Sequence, residues 1–389
     1  LLDYPRMHRE AEEALKSLGH PEIDVHMECG KLGVGQQQMV EIAKAVSLDA
    51  KLIIMDEPTS SLGKEEIAQL METVRNLKAK GVAILFVSHK LEELFELCDR
   101  VTVMRDGEHI ITEDTCNLTE DSLITAMVGR TLDNLYPKEF GTKGDVWLEA
   151  RNLNEAGVLH DVSFQAHAGQ ITGFAGLVGA GRTETMRAVF GADKLDSGEI
   201  YVKGEKVTIK TPKDAIRRKI AFLTEDRKGQ GLVLSLDVRT NLILANMKGF
   251  SKGPFLNKAK IEESGHSNVE ALKIKTPSLN EVTAQLSGGN QQKVVIGKWM
   301  NIDADIFIFD EPTRGIDVGA KIEVYRVMND MVKAGKCVIM VSSELPEILA
   351  MSDHVVVMRG GRVMANVERG SEHFNSEDIM KAAWGGELN

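Results

Sequence analysis

Residues 286–317 decide the fold class of this chain: they open with Leu286-Ser-Gly-Gly-Asn-Gln-Gln292 and continue through Ile306-Phe-Ile-Phe-Asp-Glu-Pro-Thr313. The glycine-rich start offers backbone N–H groups and a hydroxyl ahead of a helix, which is the arrangement that binds a phosphate. The run from Ile306 is apolar on both faces, as expected of a central parallel strand. Asp310 and Glu311 follow at the strand's C-terminal end, where open α/β sheets bind ligands. We therefore expect one carboxylate to hold Mg²⁺ and the other to orient or deprotonate a water molecule.

The same pattern occurs a second time, earlier in the chain. Residues 32–62 align with residues 286–316 without a gap, so equivalent positions are separated by 254 residues. The register continues further, because Val87-Ser88-His89 matches Val341-Ser342-Ser343. Solenoid repeats have periods of roughly 20–50 residues. A gap-free match over so much longer a period indicates the tandem duplication of a whole domain.

Three motifs in fixed order resemble those of ABC-type ATPases: Leu-Ser-Gly-Gly-Asn-Gln-Gln, then Asp-Glu-Pro-Thr, then a His or Ser 32 residues after the Glu. The resemblance covers nearly the whole chain. Three further stretches narrow the resemblance to one class of these ATPases: residues 127–130 (Met-Val-Gly-Arg), 224–228 (Thr-Glu-Asp-Arg-Lys) and 311–321 (Glu-Pro-Thr-Arg-Gly-Ile-Asp-Val-Gly-Ala-Lys). Together they resemble the double-domain ATP-binding subunits of bacterial monosaccharide importers, such as those for ribose, galactose, xylose and arabinose.

The resemblance implies an α/β fold of tandem P-loop NTPase domains, each a mainly parallel sheet with helices plus a helical signature subdomain. We expect residues 1–130 to be the C-terminal part of the first nucleotide-binding domain, 131–145 a linker, and 146–389 a complete second domain. The second copy's phosphate loop begins at Gly176, so its first-copy counterpart would precede Leu1. We therefore expect an incomplete first copy, an N-terminally truncated chain, and weak or absent hydrolysis by this chain alone.

The phosphate loop of the second copy departs from the usual pattern at one position. Residues 176–183 fit the spacing G-x-x-x-x-G-K-[ST] with Arg182 in place of Lys. The candidate nucleotide-binding residues here are Gly176, Gly179, Gly181, Arg182 and Thr183. A glycine-rich loop alone could equally be a structural turn, but this one lies between a predicted strand and a predicted helix. It therefore predicts nucleotide binding more firmly than hydrolysis, because an Arg forks where a Lys presents a compact charge.

Substitutions also weaken the first-copy signature loop and the second-copy switch position. Gly33 stands where the second copy has Ser287, and Val34 stands where it has Gly288, ahead of a helix predicted from Gln37. A lost hydroxyl and an added β-branched side chain both disfavour a close approach to phosphate. The counterpart of His89 is Ser343, which cannot carry a proton at neutral pH.

In the family, each ATP lies between the phosphate loop of one domain and the signature loop of the other, and this geometry implies two unequal sites here. The first combines the metal-binding Asp56, the catalytic Glu57 and His89 with the signature residues Ser287, Gly288, Gly289, Asn290 and Gln291. The second combines the loop 176–183, the metal-binding Thr183 and Asp310, Glu311, and Glu225 at the Mg²⁺-sensing position with the degraded loop residues Gly33 and Gly35. We predict that the first site hydrolyses ATP and the second mainly holds it. All the substitutions fall on the second site.

Composition limits the other functions. The 389 residues carry 47 basic and 58 acidic side chains, for a net charge of −11, and no basic cluster predicts a nucleic-acid partner. The four cysteines lack the paired spacing of a metal site. Apolar runs such as residues 82–87 fall far short of a membrane span.

Taken with the resemblance, these observations imply a subunit that uses ATP and Mg²⁺ to energise import of ribose or a similar monosaccharide. Its partners would be integral-membrane permease subunits and, indirectly, an extracytoplasmic sugar-binding protein. Its place would be the cytoplasmic face of the bacterial plasma membrane. Two alternatives stay open: a soluble twin-ATPase that binds ribosomes, and an inactive truncated remnant. The short linker and the lopsided sites argue against the ribosome-binding class, which usually has a long charged linker and two intact sites.

Overall fold

The computed structural model describes residues 2–48, 50–59, 62–88, 90–105, 107–128 and 136–387. The chain divides into two compact units, residues 1–132 and 133–389. Among the described residues, no helix is both long and apolar enough to cross a membrane.

The first unit alternates helices and short strands. Its helices include α1 (Tyr4–Ser17), α2 (Val34–Ser47), α3 (Lys64–Ala79), α4 (Leu91–Leu97) and α5 (Glu120–Val128), and its strands include β1 (Leu52–Asp56), β2 (Ala83–Val87), β3 (Arg100–Arg105) and β4 (Glu108–Asp114). The first helix is capped by Asp3, whose side chain accepts from the Arg6 N–H at 3.1 Å. α2 begins at Val34 rather than at the predicted Gln37.

Strand pairing in the first unit forms two separate ribbons in the described residues. β1 and β2 are parallel, and β3 and β4 are antiparallel. On one face of the first ribbon, Ile53 and Met55 pack into a core that includes Leu70 on α3. On the other face, Ile54 is 64% exposed and Leu85 is 54% exposed. The alternation of a strand therefore gives this ribbon one buried and one uncovered face.

The second unit is larger and contains two main sheets. Its strands include β5 (Val146–Glu155), β6 (Leu159–His167), β7 (Ile171–Ala175), β8 (Ser197–Val202), β9 (Glu205–Val207), β10 (Ile220–Leu223), β11 (Ser251–Lys252), β12 (Phe255–Leu256), β13 (Ile306–Asp310), β14 (Cys337–Val341), β15 (His354–Arg359) and β16 (Arg362–Glu368). Its helices include α6 (Arg182–Phe190), α7 (Pro212–Arg217), α8 (Val238–Ile243), α9 (Lys258–Ala271), α10 (Gly288–Met300), α11 (Val318–Lys333), α12 (Leu345–Met351) and α13 (Ser376–Ala383).

The central sheet has the strand order β10-β13-β14-β7-β15-β16, with all neighbours parallel except the last pair. The residues of β7, β13 and β14 are buried at every position. Parallel strands covered on both faces read as continuous apolar runs, which is why residues 306–309 look as they do. The predicted mainly parallel α/β fold is confirmed. The unit adds a four-stranded antiparallel sheet, β6-β5-β8-β9, that the sequence did not predict.

A helical subdomain carries the signature loop, which leads into α10. In this subdomain α8 ends at Ile243, and a 3₁₀ segment follows. Asn246, with φ of −138°, interrupts the helical path inside that segment. The small antiparallel hairpin β11–β12 comes next.

Residues 136–145, predicted to lie in a linker, belong to the second unit and pack onto the rest of it. The Lys138 ammonium pairs with Asp353 at 2.7 Å, and both side chains are 8% exposed. The Glu139 N–H donates to the Asn329 side chain at 3.2 Å. Gly141 has no room for a Cβ, which would lie 2.5 Å from the Gly169 carbonyl oxygen. This stretch is therefore part of the second unit's packed surface.

Candidate nucleotide-binding site

The phosphate loop of the second unit connects β7 to α6. Gly179 and Gly181 have φ of +76° and +97°, in the left-handed region that glycine enters without steric cost. A Cβ on Gly181 would lie 2.9 Å from the Gly361 Cα, and one on Gly176 would lie 2.4 Å from the Met358 carbonyl oxygen. These glycines let the loop turn tightly beside β15. The N-terminal end of α6 then faces the loop, as a phosphate site requires.

The two carboxylates lie at the C-terminal end of β13, as predicted. Asp310 is 1% exposed, and its Oδ1 accepts from the Thr183 hydroxyl at 3.1 Å. Burial raises the pKa of Asp310 to about 7, and the Thr183 hydrogen bond opposes the rise. Oδ2 of Asp310 is buried without a hydrogen-bond partner. An orphaned buried carboxylate oxygen beside a threonine hydroxyl fits a position that a cation completes.

Mg²⁺ is the cation that this pair fits. Proteins hold it through one or two carboxylates and substrate phosphates, with water filling the other positions. Asp310 and Thr183 would be its protein ligands, and the bound metal would offset phosphate charge. Among the described residues, no group of three or more His, Cys, Asp or Glu side chains could hold a metal without such help.

The neighbouring carboxylate, Glu311, is 9% exposed and already engaged on both oxygens. The Ser343 hydroxyl donates to Oε2 at 3.0 Å. The Arg182 guanidinium lies 3.6 Å from Oε1. Burial raises the pKa of Glu311, while Ser343 and the Arg182 charge oppose the rise. Glu311 is therefore held in place by a hydroxyl on one oxygen and a guanidinium beside the other.

Arg182 is the centre of this arrangement. It is 8% exposed, and its Nη1 donates to the Ser342 carbonyl oxygen at 2.5 Å. A single guanidinium thus joins the phosphate loop to the segment after β14 and to Glu311. The forked guanidinium addresses the two partners through different nitrogens, Nη1 and Nη2.

Both carboxylate turns share an uncommon backbone conformation. Glu57 and Glu311 have φ of +48° and +47°, a left-handed conformation that side chains other than glycine rarely adopt. The Glu57 N–H donates to the Val87 carbonyl at 2.9 Å, and the Glu311 N–H donates to that of Val341 at 2.9 Å. Strain of this kind is found at functional sites, where the surrounding structure enforces it.

The predicted sensor Glu225 forms an ion pair with Arg314, three residues after Glu311. Arg314 belongs to the motif at 311–321, and its pairing with Glu225 was not predicted. The contact joins the segment after β10 to the segment after β13, at the same edge of the sheet.

The second-unit signature loop lies among a different set of residues. Ser287 occupies the N-cap position of α10, and its hydroxyl accepts from the side-chain amide of Asn290 at 2.9 Å. A Cβ on Gly288 would lie 3.1 Å from the Gly315 carbonyl oxygen. Gln291 is 4% exposed and donates to the Thr283 carbonyl at 3.1 Å, so its side chain serves the subdomain interior. A Cβ on Gly289 would lie 2.7 Å from that of Ala320, which makes this glycine a contact between α10 and α11.

The first unit brings fewer of its predicted residues together. The Gly33 N–H donates to the Gln36 side chain at 3.3 Å. A Cβ on Gly35 would lie 2.4 Å from the Glu66 carboxylate, at the flexible end of a side chain on α3. Asp56 is exposed and Glu57 half-buried. The predicted catalytic His89 lies outside the described residues, as do Gly129 and Arg130 of the motif at 127–130.

Sequence reasoning missed the side chains that hold the segment after β14. Thr313, Ser342 and Glu347 are buried and joined by hydrogen bonds. A usable signal was present, because all three are identical in the first copy, as Thr59, Ser88 and Glu93.

Comparisons with known proteins agree with this geometry. The ABC transporter family model matches residues 4–60 and 159–314. The chain is 46% identical over 385 residues to the ribose import ATP-binding protein RbsA of Bacillus licheniformis, covering 99% of this chain and 78% of that protein. It is 47% identical over 386 residues to a putative ribose/galactose/methyl galactoside import ATP-binding protein of Burkholderia cenocepacia, covering 99% and 74%.

Solved structures show the same fold at lower identity. An ATP-binding cassette of an ABC transporter in its ADP conformation is 21% identical, with a TM-score of 0.51 over 62% of this chain and 96% of that one. A dimeric post-hydrolysis cassette bound to ADP and phosphate is 19% identical, with a TM-score of 0.50 over 58% and 100%. With the matched family model, the close relatives and the assembled phosphate loop and carboxylates, the chain belongs to the ATP-binding proteins of the ABC transporter family.

Proposed function

We propose that this chain is the ATP-binding subunit that energises import of ribose or a similar monosaccharide through a membrane permease. The relatives named for ribose import, at 46% identity over 99% of the chain, support this assignment. Its direct partners would be the permease subunits at the cytoplasmic face of the plasma membrane. A sugar-binding protein on the other side would act through the permease. ATP with Mg²⁺ would be the bound cofactor pair.

Within that role, we assign hydrolysis to the site built on Glu57 and retention of nucleotide to the site built on Glu311. The observation that carries this assignment is the double anchoring of Arg182, at 2.5 Å from the Ser342 carbonyl and 3.6 Å from Glu311. An arginine held in this way neutralises the carboxylate that would otherwise polarise the attacking water. Ser343, the residue at the switch position, cannot accept or return a proton at neutral pH.

The residues of the second copy are nevertheless suited to holding a nucleotide. The glycine loop and the start of α6 would bind phosphate oxygens through backbone N–H groups. Thr183 and Asp310 would hold Mg²⁺, which supplies charge neutralisation at the phosphates. In the first copy, Glu57 would orient the water for in-line attack, with His89 predicted to sense the γ-phosphate. Closing around ATP and opening after hydrolysis would drive the permease.

The test is ATP turnover by the protein with the permease present. Glu57→Gln and Glu311→Gln are compared side by side. We expect Glu57→Gln to lower turnover by about a hundredfold or more, since it removes the group that orients the nucleophile. We expect Glu311→Gln to retain most of the activity. Equal losses would contradict the division between the two sites.

A binding measurement tests the transport role separately. The chain is mixed with membranes that contain the permease of a ribose importer, and with ribosomes, and each mixture is pelleted. Recovery with the permease membranes, reduced by omitting the permease, is the expected result. Recovery with ribosomes alone would overturn the proposal.

A further inference from the structure

A fully buried carboxylate stands behind the site without any role in the reaction described above. Glu347 on α12 is 0% exposed. Its Oε1 accepts from the Thr313 hydroxyl at 2.7 Å, and its Oε2 accepts from the Ser342 hydroxyl. One side chain therefore collects hydrogen bonds from the segments after β13 and β14.

Two of these donors lie directly beside the nucleotide-site groups. Thr313 is two residues after Glu311 on the same turn. Ser342 directly precedes Ser343, whose hydroxyl donates to Glu311. The carbonyl oxygen of Ser342 itself accepts from Arg182. Glu347 thus binds both segments that present groups to Glu311, one on each side. If either segment shifted, the contacts of Arg182 and Ser343 with Glu311 would shift with it.

The first copy repeats this arrangement with altered chemistry. Glu93 is 5% exposed, and its Oε2 accepts from the Ser88 hydroxyl at 2.7 Å. There Lys90 takes part, with its ammonium 3.2 Å from Glu93 Oε1 and 3.3 Å from the Thr59 hydroxyl. The same three segments are therefore joined in both copies, once through a lysine and once directly.

Stability alone is a weak reason for such a group. Burying a carboxylate is costly, and apolar residues of similar volume are often at least as stabilising at such positions. Hydrogen bonds do fix geometry, because each donor must stay aligned with its acceptor. A buried acceptor shared by two separate segments is therefore better explained by geometry than by free energy of folding.

We propose that Glu347 is a positioning residue that fixes the segments after β13 and β14 to each other, so that Arg182, Glu311 and Ser343 hold their relative places. The inference rests on the proposed function only in that these three groups belong to a nucleotide site. It adds a residue that touches neither phosphate nor water and that acts through Thr313 and Ser342.

Hydrogen exchange of the nucleotide-free chain tests this directly, comparing Glu347→Gln with the wild type. We expect exchange to speed up about tenfold at residues 311–314 and at residues 342–344 together, since a glutamine amide has only one oxygen to accept from the two hydroxyls. The matched control is Ile348→Val, the next residue on α12, which is also 0% exposed. It removes a methylene without touching the hydrogen bonds, so both segments should keep their wild-type rates.

Single variants then decide whether the two segments are joined through Glu347. Thr313→Val and Ser342→Ala should each speed up exchange in both segments, and neither should add to the effect of Glu347→Gln. Exchange that changes in only one segment, or equally in Ile348→Val, would overturn the positioning role.

A Mg·ATP titration of the wild type, run in parallel, keeps this proposal separate from the proposed function. We expect Mg·ATP to bind and Glu347→Gln to weaken its binding several-fold. If the wild type binds none while the two segments still respond together, the positioning role stands and the nucleotide function fails. Normal binding by Glu347→Gln, with both segments unchanged, would overturn the positioning role alone.

Discussion

The two copies of the repeated domain have the same backbone at their carboxylate turns and opposite surroundings. Glu57 and Glu311 share a φ of +48° and +47° and a 2.9 Å hydrogen bond to the neighbouring strand. Yet Ile308 and Ile339 of the second copy are 0% exposed, whereas their counterparts Ile54 and Leu85 are 64% and 54% exposed. The turn geometry is therefore set locally, by the strand pair and its sequence. The environment of the carboxylates is set by what packs over that pair.

In the second copy the covering elements are identifiable. β7 pairs with both β14 and β15 and joins them into one sheet. α6 packs against β13, and β6 packs against β14. In the first copy, the ribbons β1–β2 and β3–β4 are separate in the described residues. The comparison shows that an apolar strand pair and its carboxylates need a third strand and a helix before they form a buried site.

The largest expected difference between the two copies is found by truncating one equivalent side chain in each. Ile339→Ala should lower the free energy of unfolding of the second unit by about 2–5 kcal/mol, because it leaves a cavity in a fully buried sheet. Leu85→Ala should cost below about 1 kcal/mol, because its side chain is already half exposed. Denaturant unfolding, with hydrogen exchange to assign the loss to a unit, measures both. A Leu85→Ala cost as large as that of Ile339→Ala would mean that something covers the first-copy face in solution.

A second experiment tests the nucleotide affinity of the second unit by restoring the residue expected in a phosphate loop. Arg182→Lys removes the fork that holds Glu311 and the Ser342 carbonyl together, and it presents a compact charge to the phosphates. We expect Mg·ATP to bind the second unit about tenfold more tightly, equivalent to about 1.4 kcal/mol. A titration with a fluorescent ATP analogue, with and without Mg²⁺, measures the change.

The matched control for that variant lies on the same helix. Arg187 pairs with Asp193 at 2.6 Å and 2.8 Å, away from Glu311. Arg187→Lys should therefore leave the affinity within about twofold of the wild type, since exposed or partly exposed pairs contribute little. Weaker binding by Arg182→Lys would show that the arginine itself grips the nucleotide and that its contacts to Glu311 do not block the site.

Much of this arrangement could be predicted from the sequence, for reasons that particular residues illustrate. The continuous apolar run at residues 306–309 and the following Asp310 and Glu311 have local signatures, so the central strand and its carboxylates were predicted in place. The internal duplication then predicted which residues occupy equivalent positions in the two copies. The antiparallel sheet of β5, β6, β8 and β9 was not predicted, because its strands carry no motif and the pairing of β5 with β8 joins residues distant in sequence. The contact of Arg182 with Glu311 depends on side-chain geometry that no spacing rule encodes.

Two glycines carry signals that fit more than one structural role. Gly35 and Gly289 were predicted as phosphate-approach glycines; in the structure Gly289 also lies where α10 packs on α11, and Gly35 faces the end of the Glu66 side chain on α3. The two requirements give the same residue, since a missing Cβ serves a phosphate and a neighbouring helix equally well. Only coordinates separate them, and the phosphate role of both glycines stays a prediction.

A final and smaller difference between the copies concerns one equivalent lysine. Lys298 on α10 is 8% exposed and donates to the Gly231 carbonyl at 2.6 Å, whereas its counterpart Lys44 is an exposed partner of Glu41. Burial lowers the pKa of Lys298 to about 8. Between that value and the ordinary lysine pKa, the unfolded chain holds a proton that the folded chain has lost. Stability contributed by this group therefore rises with pH across that window.

The measurement is the difference in unfolding free energy between the wild type and Lys298→Met, followed from pH 8 to pH 9. The wild type should gain about 1 kcal/mol relative to the variant over that step, because methionine has nothing to titrate. Lys44→Met, the equivalent exchange at an exposed position, is the matched control and should give no such gain. A flat difference for Lys298→Met would mean that the buried ammonium keeps its proton, held by the Gly231 carbonyl. The link from α10 to residues 227–231 would then be a charged one, and the contrast with Lys44 would be one of burial alone.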